Sequence, residues 1–272
     1  FYMKKFFLSM LFLAVLSSSV FAGDYWSKEN WYKIWEPISI GYSNIQQRGT
    51  TTMKVNGAAE AAVLTALGLP TEIKDSWTLS MNNFVVSPLL NYGMMRKDKG
   101  FFFMSELQGG VGNANLKFEK GDELIKRLNM EHTTGIAFNT SVACLFGYSL
   151  SPINNLYLSF ASGFSGDFFI AYMAYEKTIA GATVKYEKFH VDMPIGIPFD
   201  VSVRYYFSKK IGLVFGLQDT VLFSLNKLLD IGATFQVKGK VGGEEKELFK
   251  SNEYNTSIGN KFTVKLGLST RW

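Results

Sequence analysis

The feature that constrains this chain most is a strict two-residue alternation whose apolar side carries no charge. Ile195, Ile197, Phe199, Val201, Val203, Tyr205 and Phe207 share one parity, opposite Gly196, Asp200, Ser202, Arg204 and Ser208. Successive side chains of a strand point to opposite faces, so this run reads as a strand with one wholly greasy face. The pattern recurs where Ile136, Phe138, Val142, Phe146, Tyr148 and Leu150 oppose Gly135, Ala137, Asn139, Ser141 and Ala143, interrupted only by Leu145. It recurs again at the end, where Phe262, Val264, Leu266, Leu268 and Trp272 oppose Thr263, Lys265, Gly267, Ser269 and Arg271. Chain ends usually fray, so an alternation kept up to Trp272 predicts a strand that is held in place.

A soluble β-sandwich would alternate too, and the chemistry of the second face separates the two cases. A water-facing side should be rich in Lys, Glu and Thr, whereas here it is mostly Gly, Ser, Ala and Asn with a few charges. Small residues suit the crowded inside of a barrel of about eight strands, which is just wide enough for its own side chains to fill. The greasy faces then look outward into lipid. Lipid offers no hydrogen bonds, so strands cross it only in a closed sheet, and the last strand must pair with the first. The expected fold is all-β: a closed antiparallel up-and-down transmembrane barrel of about eight strands.

Short turns follow the alternating runs at 97–100, 151–155 and 208–210, and each leads at once into a new run. Between these hairpins lie mostly polar stretches at about 49–76, 112–131, 177–193 and 227–260, read as long loops at the opposite end. A first strand near Ile38, Ile40 and Tyr42 and the C-terminal strand complete the set. One strand breaks parity: Trp77, Leu79 and Met81 are odd, Phe84, Val86, Leu90 and Tyr92 even, which predicts a bulge near Asn82 and Asn83. The stretch 57–70, rich in Ala and Leu and ended by Pro70, predicts a short helix, read as a lid over the barrel mouth, a docking element for a partner or a plain loop ornament.

Residues 1–22 read as a secretory signal, with Lys4 and Lys5 before an apolar run and small residues ahead of Gly23. The mature barrel domain is then 23–272. The apolar run is shorter than the roughly 20 residues of a spanning helix, and no later window replaces it. Cys144 is the single cysteine, so no disulfide forms within the chain. The net charge of +5 is scattered and argues against a nucleic-acid partner. No cofactor or metal motif stands out.

The ending Lys265-x-Gly267-x-x-Thr270-x-Trp272 resembles the C-terminal assembly signal of bacterial outer-membrane β-barrels, with Thr270 where an apolar residue is usual. The whole plan is similar to the small OmpA, OmpX and OmpW type barrels. The resemblance implies export to the bacterial outer membrane, outer-membrane lipid as the surroundings, and insertion by the assembly machinery that reads the last strand. Trp26, Trp31, Trp35 and Trp272 fall near the short-turn end and Trp77 near the other, as interface belts would.

The candidate functional residues are the charges of the inner face: Glu106, Asp200, Arg204, Lys265 and Arg271. Asp200 and Arg204 lie about 13 Å apart along one strand, so each needs a partner on another strand. They form either an ion-pair plug or a gate in a pore. His132 and His190, the only histidines, read as loop residues near the rim, with a catalytic acid/base role as the alternative. Gly109, Gly110 and Gly112 read as the exit from a strand into a loop, and Cys144 as a small lipid-facing residue. The function read from this is a non-enzymatic surface role, with the barrel as anchor and the loops presented to an extracellular ligand or host protein. The alternative is an OmpW-like small-molecule channel, and the third reading is a lipid-modifying enzyme.

Overall fold

The computed structural model of the chain describes residues 30–55, 57–58, 61–62, 65, 71–119, 132–179, 182–225, 234–241, 244–256 and 258–272. The signal segment 1–22 and Trp26 lie outside them. Among the described residues the architecture is a single antiparallel sheet of eleven strands. These are β1 (Trp31–Val55), β2 (Glu72–Arg96), β3 (Lys99–Phe118), β4 (His132–Ile153), β5 (Leu156–Ile179), β6 (Ala182–Asp192), β7 (Ile195–Tyr206), β8 (Ile211–Phe223), β9 (Thr234–Val241), β10 (Glu244–Thr256) and β11 (Ile258–Arg271).

The alternation fixes which way each strand faces, and the seam closes as expected. β11 pairs with β1 from Gln46↔Asn260 down to Ile34↔Arg271. Trp272 continues the seam by exchanging two backbone hydrogen bonds with Lys33, at 3.0 and 3.2 Å. The ring runs β1-β2-β3-β4-β5-β7-β8-β11 and back to β1. Starting at Phe101 on β3, the ladder passes Tyr148, Phe160, Val201, Leu217, Val264, Tyr42 and Phe84 and returns to β3 at Val111. That stagger tilts the strands by roughly 40° and defines a small barrel. Every residue on that path is outward and apolar.

Tight turns close the hairpins at one end. Asn155 turns between β4 and β5 with φ 68°, a conformation Asn tolerates well, and Gly100 adopts φ 141° where β3 begins. At the other end the structure corrects the expectation of long loops. β1 runs to Val55 and β2 starts at Glu72 inside the 49–76 stretch. In the same way β3 runs to Phe118 inside 112–131, β6 fills most of 177–193, and β9 and β10 occupy much of 227–260. These strands close a second eight-strand circuit, β1-β2-β3-β4-β5-β6-β9-β10 and back to β1. The two circuits share five strands, so the barrel continues as a collar above the lipid-crossing ring. Hydropathy hid the collar because its surroundings differ while its backbone pairing does not: the ladder persists, but water no longer requires a greasy outer face.

The bulges are also displaced from the expected place. Asn82 and Asn83 sit in unbroken register with both neighbours. The irregularities occur at Pro37 on β1 and between Val86 and Tyr92 on β2, around Pro88. Proline has no N–H to give a ladder, which suits a bulge at these two places, whereas Pro198 on β7 keeps its register opposite Thr220. No bulge is needed to reorient Trp77, Leu79 and Met81, because all three point into the barrel and are fully buried. The 57–70 stretch is helical at Ala58, Ala61, Ala62 and Thr65, with the Ala61 N–H bonded to the Gly57 carbonyl at 3.0 Å. Gly109, Gly110 and Gly112 lie within β3, correcting their reading as a loop.

Candidate functional site: a filled lumen

The inward parity of each strand delivers polar side chains to a shared axis, where they stack in layers. At the short-turn end Arg271 forms the floor. Its guanidinium lies 4.2 Å from the Tyr206 ring centroid and 4.7 Å from that of Tyr32, and donates to the Tyr157 hydroxyl at 3.1 Å and the Lys209 carbonyl at 3.1 Å. Above it Ile34, Met95, Phe102, Met104, Leu145, Tyr157 and Tyr206 form an apolar cluster inside the barrel. Leu145, the apparent interruption of its strand, supplies part of this packing. Tyr32 packs against the same cluster.

The next layer is ionic. Arg204 donates from Nε to Glu36 at 2.9 Å, approaches it with Nη2 at 2.8 Å, and reaches the Ser202 and Ser159 hydroxyls. Lys265 pairs with Glu106 and stands 3.7 Å from Asp200, while Gln218 donates to Glu106 at 3.2 Å. Lys261 pairs with Asp167 and donates to Ser141 at 2.9 Å, with Ser165 also bonded to Asp167. Asn83 and Asn139 join above at 2.7 Å. All these charged groups are buried. The charges expected in the lumen are therefore there. Glu106, Asp200, Arg204 and Lys265 meet across strands, whereas Arg271 is held by tyrosines and carbonyls.

The uppermost layer was not legible as a group. His190 is a fully buried, inward residue of β6, correcting its reading as a loop histidine. Its Nε2–H donates to Gln47 Oε1 at 2.8 Å, Gln47 donates to Asp192, and the Ser224 hydroxyl donates to Asp192 at 2.8 Å. Lys188 lies 4.1 Å from the Trp77 ring centroid, and His190 packs edge-on to that ring at 5.9 Å. Trp77 is thus a roof residue inside the barrel and not part of an outer belt. In this collar layer, burial holds His190 and Lys188 well below their ordinary values and pushes Asp192 up to about 6. Fully buried and bonded to Gln47, His190 is closed off from an external substrate in this arrangement. His132 begins β4, where its backbone faces Lys117.

The other aromatics named from the sequence and described in the structure lie at the short-turn end. Trp272 is 51% exposed and tilted against Tyr92, with ring centroids 6.2 Å apart, while Trp31 meets Phe101 edge-on at 6.3 Å. Trp31 and Trp35 are half-buried at the same end, and the Thr270 hydroxyl donates to the Trp35 carbonyl at 2.9 Å. A polar residue at position 270 therefore has a partner across the seam. Cys144 is half-buried on the outer face. Among the described residues no group of His, Cys, Asp and Glu could hold a metal ion.

Over residues 38–272 the sequence matches a family described as Domain of unknown function (DUF2715). The chain belongs to this family. Among curated proteins none matches. Solved structures similar to this DUF2715 chain include the outer membrane protein OprG from Pseudomonas aeruginosa, at 6% identity over 89% of this chain and 96% of that one, TM-score 0.43. The outer membrane protease OmpT from Escherichia coli is similar at 9% identity over 88% and 98%, TM-score 0.34. The COG4313 outer membrane channel from Pseudomonas putida F1 is similar at 9% identity over 86% and 96%, TM-score 0.23. The architecture of the DUF2715 chain is that of the small outer-membrane β-barrels, and its own closed ring and outward apolar band carry that statement.

Three members of the buried ion pairs escaped the sequence, Glu36, Lys261 and Asp167. Lys261 and Asp167 share the inward parity of Lys265 and Ser165, so extending the alternation of β11 and β5 would have found them. Glu36 could not be found that way, because the bulge at Pro37 flips parity between Glu36 and Ser39.

Proposed function

We propose that this protein is an integral outer-membrane barrel with a non-enzymatic surface role, the ring serving as anchor and the collar with its connections as the face offered to an extracellular partner. The observation that carries this reading is the filled axis: the Arg271 floor, the apolar cluster, the ion pairs on Arg204, Lys265 and Lys261, and the Trp77 roof all occupy the lumen. A barrel of this size has little room beyond its own side chains, so a solute would have to displace buried charges from their partners. The enclosure of His190 supports a role without catalysis.

The test is electrical. Purified protein reconstituted in a planar bilayer should show no steady single-channel conductance, and Glu106→Gln should not alter that baseline beyond brief openings. A stable conductance whose ion selectivity shifts on neutralising Glu106 would favour the channel instead.

A further inference from the structure

The outer surface holds a feature that the filled lumen does not explain. Around most of the ring the outward residues are apolar, but on one side they change abruptly to carboxamides. Asn44, Asn82 and Asn113 are in direct register across β1, β2 and β3, and Gln46 faces Asn260 across the seam between β1 and β11. Asn44 donates to Asn82 at 2.7 Å and Tyr42 donates its hydroxyl to the same oxygen, while Gln46 donates to Asn44 at 3.3 Å. Asn260 donates to Asp219 of β8 at 2.6 Å. Tyr42, Gln46, Asn113, Asn260 and Asp219 are exposed. Followed onward, the Asn row becomes Ile136 on β4, Tyr172 on β5 and Phe189 on β6.

We propose that this carboxamide belt binds a neutral, hydroxyl-rich lipid headgroup, such as the sugar of a glycolipid in the outer leaflet. The place fits a lipid, because the belt continues the lipid-facing surface directly: the outward residues one step below it, Tyr42, Phe84 and Val111, are the upper edge of the apolar band. Acyl chains packed on that band bring their headgroups to the belt. The chemistry fits hydroxyls, because each carboxamide offers a donor and an acceptor side by side, and the exposed Tyr42 ring gives a sugar an apolar face to rest on. Charge disfavours phosphate: the belt itself carries Asp219 and no cation, and the nearest outward cations on these strands stand above it, Arg48 one outward position beyond Gln46 and Lys117 two beyond Asn113. A phosphate would meet like charge there, whereas a hydroxyl can donate to the carboxylate.

The experiment uses the full mature chain, purified in detergent and stripped of lipid. It is incubated separately with digalactosyldiacylglycerol, phosphatidylglycerol and phosphatidylcholine of matched acyl chains, and retained lipid is counted by native mass spectrometry. Retention of the galactolipid should exceed that of phosphatidylcholine by about tenfold, the worth of one or two net hydrogen bonds. In Asn44→Ala/Asn82→Ala/Asn113→Ala, shown folded by heat-modifiable migration, the excess should vanish; Ile136→Ala in the same row should keep it. Equal retention of all three lipids by the wild type would overturn the proposal, as would a preference for phosphatidylglycerol or a galactolipid excess untouched by the triple substitution. A lipid-free dimer dissociated by that substitution would also overturn it, since the belt would then be an interface between two copies. Because the wild-type comparison stands alone, a variant that fails to fold leaves the proposal testable.

Discussion

Lys265→Met should cost the folded barrel about 3–5 kcal/mol, read as a fall in the urea midpoint of refolding into micelles. Lys265 is the cation that Glu106 and Asp200 share, and all three are buried in the lumen. Removing it takes from two buried carboxylates the cation that pairs with them, leaving Arg204, itself paired with Glu36, as the remaining positive charge nearby; burial makes that far more costly than losing a surface pair, worth about 0–1 kcal/mol. Its position sharpens the effect. Lys261 and Lys265 both project from β11, while their acids come from β5, β3 and β7. The closing strand therefore carries the charges that neutralise the inside, and a slip of its register would strand them together. Neutralising the whole group in Glu106→Gln/Asp200→Asn/Lys265→Met should recover most of the loss, since replacing a complete buried ion group is often tolerated. If Lys265→Met alone leaves the midpoint unchanged, water reaches these groups and the lumen is not filled as described.

The second large effect concerns the opposite face. Val201→Arg, near the middle of the outward row of β7, should cost about 2–4 kcal/mol when folding is measured into lipid vesicles. Val201 is 44% exposed, so in a water-soluble barrel the same change would fall within roughly ±0.5 kcal/mol. The difference arises because hydrocarbon cannot solvate a guanidinium at mid-depth. Thr50→Arg, exposed in the collar strand portion of β1 that pairs with β10, should cost no more than about 1 kcal/mol. The contrast between the two positions maps where lipid ends, and equal effects would contradict a membrane-spanning ring.

How much of this was legible beforehand follows from what each segment is asked to do. Within the lipid band a strand must be greasy outside and small or paired inside, so β7, β8, β11 and β4 could be read residue by residue, together with the closing role of Trp272. The inner charges could be named because any charge on a lipid-crossing strand must face inward; their pairing could not, since it depends on the stagger of the ladder. Proline disturbed the reading twice. At Pro37 it reversed parity and hid Glu36, and near Pro88 it placed the irregularity where no hydropathy break marks it. An aromatic at position 77 suits an outer belt, because aromatics are expected at interfaces, yet the side chain is buried inside the barrel against Lys188 and His190. Above the band the code changes altogether: once water wets the outside, β6, β9 and β10 keep their backbone pairing without keeping the hydropathy signal.

The central claim is that odd-numbered residues of β7 touch hydrocarbon while even-numbered ones are packed against a filled axis. Single spin labels placed in turn at positions 195 to 206, with Cys144→Ser as background and the protein in lipid vesicles, test it through collisional accessibility. High oxygen and low nickel-chelate accessibility at the odd positions, with little of either at the even ones, is the predicted result. Even positions open to the nickel reagent, or odd positions shielded from oxygen, would contradict it.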